Sequence, residues 1–384
     1  MDFDWQWILI ALPLAFGLGW LASRIDLRQW RRSDTQARKA YFSGLNLLLN
    51  EQTDKAVDAF IEAVQADPDT SELHFALGNL FRRRGEFERA VRVHQHLLQR
   101  ADLSLADRQR AQHGLALDFV KAGLLDRAED AFKALQGSPY DSEAKLARLS
   151  LHERSRDWPL AIALAQSLEQ AGAGSFAQRI AHYHCELAQE AELRGDAAAV
   201  DGEITAALAA APDSARALAL KAQRLARLGS DHSVAAMAAW TELGQRHPEA
   251  LSRLAMEFAA SAQAANQTAM AREALLRLFA QQPGIDTVRA LALLDGSTVA
   301  TTPQLMALLG QLPSLSAVLE LLDAPRAQWP DAARPRMRDA VAQAARSQQR
   351  YRCAACGFES QRHFWQCPGC LSWDSFPPQR IEEQ

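Results

Sequence analysis

The chain has 384 residues, 42 Lys plus Arg against 46 Asp plus Glu, and a formal net charge of −4. That length supports about two to three domains with a sizeable core. A hydrophobic content of 48% excludes global disorder, and the near-neutral charge excludes a generic nucleic-acid coat, which would be strongly basic.

Residues 5–23 read WQWILIALPLAFGLGWLAS and carry no charge. At about 1.5 Å per residue a helix here spans roughly 28 Å, close to the hydrocarbon thickness of a bilayer. Trp5, Trp7 and Trp20 stand near its two ends, where indoles prefer the lipid interface. The expectation is a single-pass anchor over residues 1–23. Asp2 and Asp4 precede it, and Arg24, Arg28, Arg31, Arg32, Arg38 and Lys39 follow. The positive-inside rule then puts the N-terminus outside and the bulk of the chain on the cytoplasmic side of the membrane. A cleaved signal peptide would begin basic and offer a small-residue cleavage site, and this start does neither. Ala11, Ala15, Gly19 and Ser23 recur every fourth residue, a stripe on which two such helices could pack closely as a homodimer. Residues 24–36 read as a basic juxtamembrane linker.

Alanine and leucine dominate the remainder, so an all-α architecture is expected. Gly44 and Gly78 are 34 residues apart, as are Ala56 and Ala90, the period of a tetratricopeptide helix-turn-helix unit. A solenoid of such units is expected over residues 37–325. The first carries Gly44, Ala56, Phe60, Ala63 and Pro68; the second Leu77, Gly78, Phe81, Gly85 and Ala90. An insertion around Leu103 to Arg108 precedes the third, with Leu115, Ala116, Phe119, Gly123, Ala128 and Phe132. Asp157, Trp158 and Ala161 mark a fourth. Leu187, Ala188, Gly195, Val200, Ile204 and Ala207 mark a fifth. Leu218, Ala222, Gly229, Ala236 and Trp240 mark a sixth with a two-residue insertion. Beyond residue 250 the register loosens. Small residues sit where paired helices cross, and a glycine suits the left-handed turn between them. Such an array works through a groove that grips a peptide or protein surface. Its register nominates Tyr41, Phe75, Asn79, Arg82, Arg83, Arg110 and His113 as partner-binding residues, with Glu72, His182, Cys185 and Gln189 beside them.

Residues 326–349 read as a linker ending in a short helix, and residues 350–384 as a separate metal domain. Cys353-x2-Cys356 and Cys367-x2-Cys370 are two knuckles separated by ten residues. Together they supply four thiolates, which close a tetrahedral site and leave no position for a substrate. One structural ion, zinc or iron, fits that donor set, and a unit this small needs the ion to fold. Of its aromatics, Trp365 and Trp373 are expected to meet a partner. The segment from Arg350 balances four Arg against Glu359, Asp374, Glu382 and Glu383, so it has no basic face for phosphates. No zincin, serine-hydrolase or phosphate-loop motif occurs, and no enzyme activity is expected.

The order of anchor, repeat array and knuckle pair resembles the lipopolysaccharide assembly protein B (LapB/YciM) family. The likeness is most specific at Cys353-Ala-Ala-Cys356-Gly357-Phe358, at Trp365-Gln366-Cys367-Pro368-Gly369-Cys370 and at Trp373; His184-Cys185-Glu186-Leu187-Ala188 is similar to the family's fifth repeat. The resemblance implies a Gram-negative inner-membrane adaptor that promotes degradation of the deacetylase LpxC by the protease FtsH. It also implies a role in lipopolysaccharide assembly and regulation by a second membrane protein, PbgA (YejM). The knuckle pair is rubredoxin-like, but rubredoxins space their knuckles more widely and usually place glycine where this chain has Leu371. That favours a structural site over electron transfer. A rubredoxin-like redox protein and an envelope-assembly scaffold with no part in proteolysis stand as the alternatives.

Overall fold

The computed structural model describes residues 53–66 and 70–381, with isolated positions 16, 42, 43, 46 and 47. Apart from Phe16, the expected anchor lies outside the described residues, as do the basic linker, Tyr41, Gly44 and Pro68. Among the described residues no helix is long and apolar enough to cross a membrane. The chain divides into two compact units, one ending at Phe176 and one beginning at Ala177.

The first unit contains α1 (Thr53–Ala66), α2 (Ser71–Arg83), α3 (Phe87–Gln99), α4 (Leu105–Lys121), α5 (Leu125–Lys133), α6 (Asp141–Ser155) and α7 (Trp158–Gln170). The pairs α2/α3, α4/α5 and α6/α7 follow the predicted repeats. Gly85 (φ 80°) and Gly123 (φ 76°) make the turns within the first two pairs, where a left-handed residue ends one helix and the missing Cβ avoids a steric cost. In the third pair Arg156 takes that conformation (φ 58°), at about 1–2 kcal/mol for an L-residue. Asp157 then caps α7, its carboxylate accepting the Leu160 N–H at 3.3 Å. The insertion is shorter than expected. Ser104 Oγ accepts the Asp107 N–H at 3.1 Å, so α4 starts at Leu105 and runs for 17 residues. Ala56, Ala90 and Ala128 are fully buried at the crossings, and Phe60, Phe81 and Phe132 fill the layers around them.

A polar layer interrupts this core. His94 of α3 and Asp118 of α4 are 1% and 0% exposed, and His94 Nδ1 lies 2.5 Å from Asp118 Oδ2. Arg82 of α2 donates to Asp118 Oδ1 at 2.8 Å and to the Gly114 carbonyl at 3.0 Å. The imidazole fits because glycine stands on both sides of it. A Cβ on Gly78 would lie 2.6 Å from His94 Cε1, and one on Gly114 would lie 2.7 Å from His94 Nε2. Gly78→Ala is therefore expected to destabilise the first unit. Helix propensity would gain about 1 kcal/mol, but overpacking costs about 1–3 kcal/mol, and the ring cannot retreat while Asp118 holds it. A lowered urea midpoint checks this; a raised one would show that the ring moves freely.

The second unit contains α8 (Ala177–Arg194), α9 (Ala197–Ala210), α10 (Ala215–Arg227), α11 (Ser233–Arg246), α12 (Pro248–Arg253), α13 (Ala255–Ala264), α14 (Thr268–Gln281), α15 (Ile285–Asp295), α16 (Pro303–Gln311), α17 (Leu315–Asp323) and α18 (Ala333–Gln348). Asp196 and Ser214 cap α9 and α10 through the Ala199 and Ala217 N–H groups. The insertion of the sixth repeat is a 3₁₀ turn, Ser230–His232, after Gly229. Trp240 is fully buried and donates its indole N–H to Ser261 Oγ at 3.0 Å.

Helical packing continues past residue 250, where the sequence pattern fades. Phe258, Leu275 and Leu291 join the core around Trp240, with Asn266 (φ 54°) in the turn where earlier repeats use glycine. A second core gathers Val288, Leu305, Leu308, Val318 and Leu321 with Ala333, Met337 and Ala340. The last three come from the stretch read as a linker ending in a short helix. Over Ala333–Gln348 it is a helix of 16 residues, and its i, i+4, i+7 spacing presents Ala333, Met337 and Ala340 to the core. Two short strands follow, β1 (Tyr351–Arg352) and β2 (Glu359–Ser360), paired antiparallel with Tyr351 opposite Ser360.

Candidate metal centre

The β1/β2 hairpin carries the first knuckle and a facing loop carries the second. After Cys353 the chain turns so that the Gly357 N–H donates to the Cys353 carbonyl at 2.9 Å. After Cys367 the Leu371 N–H does the same to the Cys367 carbonyl at 2.8 Å. The two turns match residue for residue. Gly357 (φ 77°) and Leu371 (φ 61°) both take the left-handed conformation, so Leu371 bears strain that Gly357 does not. Gly369 serves differently from a left-handed glycine. A Cβ there would sit 3.3 Å from Phe358 Cβ, so its bareness lets the two knuckles close on one another, and its N–H donates to Cys367 Sγ at 3.4 Å.

The four sulfurs lie within 4.8 Å of one another. Cys353 Sγ is 3.8 Å from Cys370 Sγ, and Cys356 Sγ is 3.7 Å from Cys367 Sγ. Disulfides require about 2.05 Å. A tetrahedron with metal–sulfur arms of about 2.3 Å has edges of about 3.8 Å, so the donor set fits one ion held by Cys353, Cys356, Cys367 and Cys370. Cys353 and Cys367 are buried beside Phe376, Tyr351 and Phe364, a core too small to fold this segment unaided. The ion, when bound, supplies folding free energy.

Two serines that the sequence reading passed over reach the sulfurs. Ser375 Oγ is 3.2 Å from Cys353 Sγ, and Ser372 Oγ is 3.3 Å from Cys370 Sγ. The Cys353 thiol is held down to about 6, first by its hydrogen bond with Ser375. Cys370 is also lowered, first by Ser372. Cys356 is pushed up to about 12: the Phe358 backbone N–H favours its thiolate, but the Cys370 and Cys367 sulfurs and burial prevail. Loading therefore expels protons, and the cluster binds an ion more readily as pH rises. Both serines sit in Leu371-Ser372-Trp373-Asp374-Ser375, which resembles any polar turn; only spatial proximity to the knuckles distinguishes them. His363 was also missed. Its ring packs edge-on against Tyr351 and Trp365, with centroids 5.4 and 5.3 Å away.

Trp365 and Trp373 are 72% and 68% exposed, and Gln366 and Trp373 form a β-bridge. The residues nominated in the repeat array are placed as follows. Phe75 is 2% exposed and packs with Leu97 and Ala111, while the Arg110 guanidinium lies 4.1 Å over its ring and pairs with Glu72 at 2.5 Å. Asn79 accepts a hydrogen bond from Arg82, which belongs to the buried polar layer. Arg83 is exposed at the end of α2. His113 stacks on Tyr140 at 4.7 Å, and burial holds it below the ordinary imidazole range. Phe75, Arg82, Arg110 and His113 thus join neighbouring helices, whereas the Asn79 bond stays within α2. Cys185 is fully buried, and burial pushes its thiol up to about 11, which makes it an unreactive core residue. His182 and Gln189 are exposed on α8.

Residues 351–378 match the family described as rubredoxin metal binding domain. Across its length the chain is similar to lipopolysaccharide assembly protein B of Escherichia coli K12, with 30% identity over 383 residues, covering 97% of this chain and 98% of that protein. The protein of the same name from Haemophilus influenzae is 27% identical over 397 residues, covering 98% of each. Among solved structures, a tetratricopeptide repeat protein from Parabacteroides merdae shares 14% identity over 68% of this chain and 99% of its own, with a TM-score of 0.35.

Proposed function

The chain belongs to the lipopolysaccharide assembly protein B family, and from that membership we propose that it is a non-enzymatic adaptor in lipopolysaccharide assembly at the bacterial inner membrane. The observation that carries this reading is the 30% identity over 97% of the chain, a span long enough to take in the helical array and the knuckle pair. The helical pairs offer surfaces suited to protein partners. The four-sulfur centre is coordinatively closed and suits a structural ion.

In this reading residues 5–23 tether the chain, and tethering raises the effective concentration of weak partners at the membrane. The adaptor holds the deacetylase LpxC for the membrane protease FtsH and so restrains lipopolysaccharide synthesis, with PbgA (YejM) as its regulator. Affinity capture from native membranes tests this, comparing the intact protein with a Cys367→Ser, Cys370→Ser variant. The intact protein is expected to bring down protease and deacetylase, and the variant to lose at least one of them. Capture of neither by the intact protein, with an unchanged deacetylase half-life after deletion, would sink the proteolytic role and leave an assembly scaffold.

A further inference from the structure

We propose that Ser372 and Ser375 are positioning residues of the metal centre, their hydroxyls donating to the metal-bound thiolates of Cys370 and Cys353, so that the strap Leu371–Phe376 locks the ion in place. The inference rests on the four-cysteine metal site and is independent of the adaptor reading.

The strap touches both knuckles. The Ala354 N–H donates to the Ser375 carbonyl at 2.7 Å, and the Cys367 N–H donates to the Ser372 carbonyl at 2.9 Å. The Asp374 N–H donates to the Trp365 carbonyl at 2.8 Å. Leu371 and Asp374 both hold positive φ, 61° and 50°. Two non-glycine residues in that region within four positions cost of order 1–3 kcal/mol each unless the surroundings impose them, and what they achieve is to aim the two hydroxyls at two sulfurs.

The protons can be counted. In the thiol form the Cys353 S–H donates to Ser375 Oγ at 3.2 Å, and the Ser375 O–H donates to the Ser372 carbonyl, also at 3.2 Å. A metal-bound sulfur has lost its proton and can only accept. The Ser375 hydroxyl then turns its single hydrogen to Cys353 Sγ. The Ser372 carbonyl is not orphaned by this, because it keeps the Cys367 N–H. Ser372 reverses in the same way toward Cys370 Sγ. Each thiolate spreads charge into a hydroxyl, which makes it less nucleophilic and less readily protonated off the ion. Outer-shell partners of metal ligands commonly govern affinity in this manner.

The test loads the full-length chain with Zn²⁺, challenges it with excess chelator and measures the release rate, and records the sulfur-to-metal charge-transfer band of the Co²⁺ form. Ser372→Ala and Ser375→Ala are each expected to speed release roughly 10-fold to 100-fold and to move the band to longer wavelength. Ser375→Thr, which keeps the hydroxyl, is expected to match the parent. So is Ser360→Ala, whose hydroxyl accepts the Arg362 N–H. If Ser375→Ala does not load, Ser372→Ala decides the matter on its own sulfur. Unchanged release and an unshifted band in the alanine variants, or a threonine variant that behaves like alanine, would overturn the proposal. A parent chain that takes up no Zn²⁺ or Co²⁺ would instead overturn the metal site itself.

Discussion

Stripping the ion is expected to unfold residues 351–378 while leaving the helices in place. The segment's own core is Phe376, Tyr351 and Phe364 packed on Cys353, Cys367 and Cys370, joined to strands of two residues each. That amount of apolar burial cannot offset the backbone entropy of so many ordered residues. A closed tetrathiolate zinc site contributes about 10–16 kcal/mol of apparent binding free energy at neutral pH, so metal loss dominates every other effect here. The helical cores around Trp240 and around Leu308 contain no cysteine of the knuckles. Chelator treatment, or Cys353→Ser combined with Cys367→Ser, should therefore collapse the amide chemical-shift dispersion of the tail and open it to proteases. Helical ellipticity at 222 nm should stay near its starting value. A tail that remained dispersed and protected without metal would show that its fold rests on something other than the four sulfurs.

Asp118→Ala is expected to be the most damaging single substitution in the first unit, at about 3–5 kcal/mol. Asp118 has no exposure, and its two oxygens are taken by His94 and Arg82. Alanine would leave a buried imidazole between two glycines and a guanidinium aimed at an empty acceptor. Removing one member of a buried charged set costs more than the set contributes to stability, because the partners keep their desolvation penalty. Asp118→Asn keeps the shape and one acceptor and should lose less. Hydrogen exchange should localise the loss to α3 and α4, since a helical array responds mainly at the interfaces next to a change. The double mutant with His94→Ala should recover part of the loss. Strict additivity would mean that the two side chains do not share an interaction.

Much of the array was legible because alanine and glycine recur at the crossings and turns. Gly78 follows Gly44, and Ala90 follows Ala56, at the 34-residue period; Gly123 follows Gly85 by 123 − 85 = 38 residues, the insertion adding four, and the structure buries or turns Ala56, Gly78, Ala90, Gly85 and Gly123 accordingly. The pattern fades where other residues take over the same task. Arg156 and Asn266 adopt the left-handed turn that glycine marks elsewhere, and a sequence scan for glycine passes over them. Ala333, Met337 and Ala340 are flanked by Arg334, Arg336 and Arg338, so a stretch that packs its apolar stripe reads as a charged spacer. The four cysteines were evident from spacing alone. The serines and the His94–Asp118–Arg82 layer were not, since residues 24 and 36 positions apart meet only once the helices are stacked.

The packing of α18 sets how far the metal-bearing tail can travel. A flexible tether over residues 326–349 would have an end-to-end distance of roughly 27 Å, enough for the tail to sweep the surroundings like a bait on a line. Instead α18 runs to Gln348 and β1 begins at Tyr351, so the free leash is two residues, about 7 Å at full extension. The Ile381 N–H returns to the Arg350 carbonyl at 2.7 Å, which gathers both ends of the tail at one pivot. The tail can swivel on that pivot but cannot reach out, and a protein that recognises Trp365 or Trp373 must approach to within about the tail's own width, roughly 20 Å, of the end of α18 to do so.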